Sequence, residues 1–195
     1  MSPLSPSALD QLFFEAHTHG SFAPREVEDS LLVQLYETLR WGPTAANSNP
    51  LRVVFVKSAA EKSRLLPCVA AGNTKKVEAA PVTAILAMDM RFHDKLPHLF
   101  PHVDAKAWYE GNDAAIAENA MRNSSLQGGY FVLAARALGL ACGPMSGFDA
   151  EKVRVAFLEG TPWRPNFLCN LGYPADGTVH RRNPRLDFAT ACRIV

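Results

Sequence analysis

The sequence predicts a mixed helix-and-strand chain of the α+β class, and three observations carry that expectation. Two helical patterns open the chain before any strand pattern appears. The strand patterns that follow are separated by further helical stretches. No GxGxxG or GxxxxGKS/T loop follows a strand, which weakens the Rossmann and P-loop architectures. With 195 residues and 48% apolar composition, the chain is expected to form a single domain over 1–195 with a sizeable core.

The elements follow in order. Leu9, Leu12, Phe13 and Ala16 stand at helical spacing, predicting a short helix over Ser7–His17. Leu31, Leu32, Leu35, Tyr36 and Leu39 share one face of a stronger helix over Glu28–Trp41, which Pro43 stops. Arg52–Lys57 is short and β-branched, hence a strand. Ser58 and Glu61 have capping-box spacing and open a helix to Leu66. Asn73–Ala80 reads as helix, and the continuous apolar run Pro81–Met90 as a strand covered on both faces.

Arg91–Gly111 has no regular period and holds Pro97, Pro101, three histidines and the rings of Phe92, Phe100 and Trp108. A mobile lid or insertion, a binding loop or a partner contact is expected there. Asn112–Leu138 is the longest helix, rich in Ala, Ser and Gly. Gly128 and Gly129 within it each cost about 1 kcal/mol against Ala. Close approach of another helix would offset that cost, and core packing is an equal alternative. Leu140–Met145 and Asn166–Tyr173 complete the strands, with Trp163–Arg164–Pro165 as a strand-entry turn and a helix over Ala150–Leu158 behind an Asp149 cap. The tail, 174–195, has no helical period and is expected to lie on a second subunit.

Composition narrows the function. The formal net charge is +1, which gives no electrostatic case for nucleic acid or an anionic membrane as partner. No apolar run approaches membrane-spanning length, and the first residues lack the pattern of a signal peptide, so a cytoplasmic location is expected. Cys68, Cys142, Cys169 and Cys192 lie far apart with no CxxC, which reads as reduced, inert core thiols. His93, His98 and His102 have the spacing H-x4-H-x3-H, interrupted by prolines, which fits no standard zinc site; no metal is expected. Neither GxSxG nor HExxH occurs.

Two segments stand out. Cys142-Gly-Pro-Met-Ser-Gly-Phe-Asp149 combines glycines, a proline and an N-capping Asp between two helical runs, a backbone suited to close approach by something flat. Gly42-Pro-Thr-Ala-Ala-Asn-Ser-Asn-Pro50 is a polar turn whose Asn side chains suit the edge of a heterocycle, although residue types alone favour an Asx-type turn.

In series, these segments resemble the nitroreductase family. Pro43, Thr44, Asn47 and Pro50 match its Pro-S/T-x-x-Asn-x-x-Pro motif, Asn73 and Lys76 its Asn-x-x-Lys, and Pro144, Gly147, Phe148 and Asp149 its Pro-x-x-Gly-Phe-Asp. Gly172-Tyr173 matches the end of its last core strand. Thr18-His19, Leu35-Tyr36 and Asn183-Pro-Arg-Leu186 are similar to the malonic semialdehyde reductase subgroup of pyrimidine degradation.

The resemblance implies a mostly antiparallel sheet flanked by helices and an intertwined homodimer with FMN at its interface. It also implies a set of FMN contacts: His17, His19, Pro43, Thr44, Asn47, Asn73, Lys76, Pro144, Met145, Ser146, Gly147, Arg182 and Arg185. Asn47, Asn73 and Lys76 would hold the polar rim of the flavin, and the Ser146 backbone N–H would face N5. His17 stands where the family carries Arg on the FMN phosphate; Arg182, Arg185 and the Thr44 hydroxyl are the expected supplements. The implied activity is ping-pong hydride transfer from NADH or NADPH to a small acceptor, with no side-chain nucleophile. Malonic semialdehyde is the first expected acceptor, its carboxylate held by His19 or the 91–111 segment. Nitro, quinone or enone acceptors come next, and a non-catalytic flavin-binding protein is the contrasting expectation.

Overall fold

The computed structural model describes residues 2–175 and 181–195. A short helix, α1 (Pro6–Leu9), starts at the Ser5 cap and continues as a π-type turn over Asp10–Phe14. The expected helix to His17 therefore ends early. The Arg182 guanidinium takes the freed carbonyls of Phe14 and Ala16. Next come α2 (Asp29–Leu39), β1 (Leu51–Val56), α3 (Ala59–Leu65), α4 (Ala71–Ala79) and β2 (Val82–Asp89). The second half holds α5 (Leu96–Leu99), α6 (Asp113–Ala137), β3 (Ala141–Met145), α7 (Ala150–Phe157), β4 (Trp163–Gly172) and α8 (Phe188–Ala191).

The strands form one antiparallel sheet in the order β1-β2-β4-β3. All eight residues of β2 are buried, as its continuous apolar run requires. Alternate residues serve two cores. Ala84 and Leu86 join Leu35, Leu39 and Phe131 under α2 and α6. Ile85 and Leu168 join Leu65, Val77 and Val153 under α3, α4 and α7. Capping side chains set helix starts as the sequence indicates: Ser58 Oγ accepts from the Glu61 N–H at 3.2 Å, and Asp149 Oδ1 from Lys152 at 3.0 Å.

Several expectations are corrected. β4 begins three residues before the expected strand. Pro165 is tolerated there because β3 pairs only with Leu168–Gly172, so Pro165 meets no ladder on that side. The tail contains one helical turn, α8, capped by Asp187; residues 176–180 of that expected tail lie outside the described residues. Cys192 is exposed and not a core thiol, whereas Cys68, Cys142 and Cys169 are buried. The Gly128 backbone is met by the Phe167 ring of β4, not by another helix: a Cβ there would lie 2.6 Å from that ring.

The 91–111 segment is an ordered lobe with its own core of Met88, Phe92, Leu96, Ala105, Tyr109, Ile116 and Ala120. Phe92 is fully buried edge-on to Tyr109, with ring centroids 4.9 Å apart, so it faces the core and no lid surface. The more exposed ring of this lobe is Trp108.

Candidate functional site

Along the free edge of β3 runs the segment 17–21. Thr18 bridges Cys142 in parallel, and the His19 N–H donates to the Cys142 carbonyl at 2.9 Å. The segment lies so close that a Cβ on Gly143 would sit 2.5 Å from the His19 carbonyl oxygen. Glycine at 143 is thus required by the chain itself.

Outside this edge lies a cavity of about 1010 Å3. Gly143, Pro144 and Met145 of β3 form one wall, Asn73 and Lys76 of α4 another, and residues 16–21 a third. Arg181, Arg182, Asn183 and Arg185 close it from the tail, and Arg136 reaches it from the end of α6. The Lys76 stem passes over Gly20, its carbons 3.8 Å from where a Cβ would stand. Lys76 Nζ donates to Asn73 Oδ1 at 3.4 Å, and Asn73 Nδ2 donates to the Gly147 carbonyl at 3.0 Å.

The balanced charge of the whole chain conceals this cavity's electrostatics. Lys76, Arg136, Arg181, Arg182 and Arg185 line it together with His17 and His19, and its described lining includes no Asp or Glu. Such a concentration of one sign favours a compact anion. Burial, then the charges of His17 and Arg136, hold the His19 pKa below its ordinary value. Among the described residues, no group of three or more His, Cys, Asp or Glu converges as metal ligands. No helix among them is long and apolar enough to cross a membrane.

Of the expected contacts, His17, His19, Asn73, Lys76, Pro144, Met145, Arg182 and Arg185 meet in this cavity. Ser146 and Gly147 follow directly along the chain but do not line it. The Gly147 backbone is covered by the Asn73 amide, 2.6 Å from a notional Cβ, so the flat open surface expected over Gly143–Gly147 is partly filled by the protein's own groups.

Pro43, Thr44 and Asn47 are not brought to the cavity of this chain. They belong to a tightly held loop in which Ala46, Asn47 and Asn49 adopt φ of 50°, 49° and 42°, a left-handed region uncommon for non-glycine residues. Side chains of α6 hold it there. Asn123 Oδ1 accepts from the Ala45 N–H at 2.8 Å, Gln127 Oε1 from the Leu51 N–H at 2.9 Å, and Gln127 Nε2 donates to Asn49 Oδ1 at 3.2 Å. Thr44 Oγ1 accepts from the Asn49 N–H, and Asn47 Nδ2 donates to the Leu99 carbonyl at 2.8 Å, tying the loop to the 91–111 lobe.

Sequence reasoning missed Arg136, Arg181 and Asn170. The first two look like an ordinary helix-end and an ordinary tail cation. Asn170 carried a readable signal, since it interrupts the apolar run of a central strand and a buried amide needs partners.

Comparisons with known proteins agree with one another. The model of the Nitroreductase family matches residues 15–173. A Ralstonia nicotianae protein, provisionally named as an NADH dehydrogenase/NAD(P)H nitroreductase, is 58% identical over 195 residues, covering 100% of both chains. A Burkholderia lata protein with the same provisional name is 55% identical over 194 residues, covering 100% of each. A provisionally named nitroreductase of Exiguobacterium sibiricum, solved in complex with FMN, has a TM-score of 0.87 at 20% identity, covering 100% of each chain. An enone reductase of gut-bacterial fatty acid saturation has a TM-score of 0.84 at 20% identity, covering 99% of this chain and 100% of its own. At such identities the two structures establish the fold.

Proposed function

The chain belongs to the nitroreductase family, and from that premise we propose that it is an FMN-dependent oxidoreductase that takes electrons from NADH or NADPH. The observation that carries this reading is the cavity at the β3 edge, where five cations and no described carboxylate face a wall of backbone and small residues. FMN would supply hydride exchange between the nicotinamide and an acceptor.

The residues of this chain fit that group. Asn73 and Lys76 offer an amide and an ammonium to the polar rim of a flavin, and the Lys76 charge favours its reduced, anionic form. Gly143, Pro144 and Met145 line one wall, and the Ser146 N–H follows them along the chain. His17, His19, Arg182 and Arg185 would supply donors to the phosphate. No side chain need act as nucleophile.

Pro43, Thr44 and Asn47 would reach the flavin only across a subunit boundary, which favours a homodimer with two equivalent sites. Outward faces of α2 and α6 support that assembly: Val33, Tyr36, Met121, Leu126 and Tyr130 are exposed. So are Leu186, Phe188 and Ile194 of the tail, which suits packing on a partner. The 91–111 lobe, pinned by Asn47, would border the same site as a cover in that homodimer.

For the acceptor, malonic semialdehyde remains the first reading, with reduction of its aldehyde to 3-hydroxypropionate. The surplus of cations supports an acceptor that carries a carboxylate. The provisional nitroreductase names of the 58% and 55% identical relatives favour a second reading, a broad nitro, quinone or enone reductase.

An absorbance spectrum of the native protein tests the cofactor through the flavin band near about 450 nm. Steady-state NADH and NADPH oxidation with malonic semialdehyde, nitrofurazone and menadione tests the acceptor. A colourless protein that takes up no added FMN would end the oxidoreductase reading. A yellow protein that oxidises neither nicotinamide with any acceptor would leave a flavin-binding role alone.

A further inference from the structure

Resting on the reading of the cavity as an FMN site, we propose that Arg136 is the residue that selects the phosphorylated flavin, as a fixed guanidinium on the wall it shares with His17 and His19. By position, Arg136 would pass for a cation complementing the end of α6. Its contacts give it a different place. Arg136 Nη1 donates to the Leu12 carbonyl at 2.9 Å, and Gln11 Nε2 donates to the Arg136 carbonyl at 2.7 Å. Side chain and backbone are both clamped to the N-terminal helical turn.

The clamp sets the guanidinium where two cavities meet. One is the large cavity, the other a neighbour of about 300 Å3, and His17, His19 and Arg136 line both. Arg136 makes no ion pair with any described residue. Its Nε is buried without a hydrogen-bond partner, an uncompensated donor that a folded chain retains only at a cost. Glu15, the acid lining the smaller cavity, leaves the guanidinium unpaired.

Three nitrogen-bearing side chains, one permanently charged, thus line one wall with no ion pair to any described residue. The charge on Arg136 is felt at His19, whose pKa it helps lower. A phosphomonoester is the matching chemistry: compact, doubly charged and able to accept from a guanidinium fork. Arg182 is already committed to the carbonyls of Phe14 and Ala16, and Arg185 to those of Asn183 and Pro184. Each of the three arginines is anchored through one terminal nitrogen, but of the three it is Arg136 that also keeps a buried Nε with no partner.

The test is a fluorescence titration of the full chain with FMN and, separately, with riboflavin, which lacks the phosphate. Wild type is expected to prefer FMN, with inorganic phosphate competing against FMN but not riboflavin. Arg136→Gln is expected to lose roughly 10- to 100-fold in FMN affinity, the scale of a charge-assisted hydrogen bond, and to keep its riboflavin affinity. His17→Arg in that background returns a guanidinium to the same wall and is expected to recover FMN affinity. Arg136→Lys keeps the charge without the fork, and a fall of about threefold or more in the FMN-to-riboflavin ratio is expected. It serves also should the Gln variant fail to fold.

An unchanged ratio in Arg136→Gln or Arg136→Lys overturns the proposal, as does an equal loss for both flavins, which marks a purely structural role. Binding of neither flavin by wild type overturns the FMN reading itself and is thereby distinct.

Discussion

The side-chain amide of Asn170, fully buried in β4, donates to the backbone carbonyl of Lys76 at 2.9 Å. Its oxygen accepts from Thr83 Oγ1 of β2 at 2.7 Å. A central strand thereby fixes the height of α4 and the point at which the Lys76 stem crosses Gly20. Asn170→Leu takes this acceptor from the buried Thr83 hydroxyl and one of two donors from the Lys76 carbonyl, which keeps the Ala80 N–H, and a loss of about 1–3 kcal/mol is expected in urea unfolding. Flavin affinity should fall with it, because Lys76 loses its anchor. An unaltered unfolding midpoint would show that α4 needs no such tie.

Lys76 itself should affect the cofactor's electronics more than its retention. A cation beside the ring stabilises the reduced anion, so Lys76→Met is expected to lower the two-electron midpoint potential by about 30–60 mV, where 30 mV corresponds to about 1.4 kcal/mol. A spectroelectrochemical titration of the bound flavin reads it directly. A potential that stays or rises would place the ammonium away from the ring.

The strained loop before β1 offers a separate test. Asn123 Oδ1 holds the Ala45 N–H while Asn123 Nδ2 donates to the Asn119 carbonyl at 3.0 Å. Left-handed backbone at Ala46, Asn47 and Asn49 persists only while such contacts over-determine it. Asn123→Ala is expected to cost about 1–3 kcal/mol and to raise amide exchange across residues 44–49, measured by hydrogen–deuterium exchange. Exchange confined to α6 would refute the bracing role.

Much of this framework was legible in the sequence. The short β-branched β1, the continuous apolar run of β2, the caps at Ser58 and Asp149, and the long small-residue helix all reflect local rules that tertiary contacts did not override. Eight of the contacts that the resemblance implies line one cavity. What stayed hidden was set by distance in the fold. Arg136 gains its meaning from Leu12, more than a hundred residues away in sequence, and Asn170 from Lys76 and Thr83. The 91–111 lobe hid for another reason: its apolar residues pack on β2 and the start of α6 without any single period, so a separate core reads as a loop.

Two adjacent glycines of α6 separate chain packing from assembly. A Cβ at Gly128 would meet the Phe167 ring at 2.6 Å, so Gly128→Ala is expected to destabilise the fold by about 1–3 kcal/mol despite its better helix propensity. At Gly129 nothing lies within 4 Å. Gly129→Arg should therefore leave the subunit folded, with near-native circular dichroism, while splitting the proposed homodimer in sedimentation velocity. A Gly129→Arg protein that sediments like wild type would move the interface off this face.

The cavity's charge also predicts a pH dependence with a definite sign. The His19 pKa lies below its ordinary 6.5, first through burial and then through His17 and Arg136. The groups facing it otherwise are Lys76 of α4 and Arg181, Arg182 and Arg185 of the tail, all cationic, with Glu15 lining only the smaller cavity. The unfolded chain therefore binds this proton more readily than the folded one, so stability rises with pH between the lowered folded value and 6.5. It is lost as pH falls through that window. Urea midpoints should decline from about pH 7.5 to about pH 5, and His19→Gln should flatten the decline. A bound dianion favours the protonated imidazole, so saturating FMN should shrink the same slope, because proton uptake then accompanies cofactor binding. A slope as steep with FMN as without it would mean that the phosphate does not approach His19.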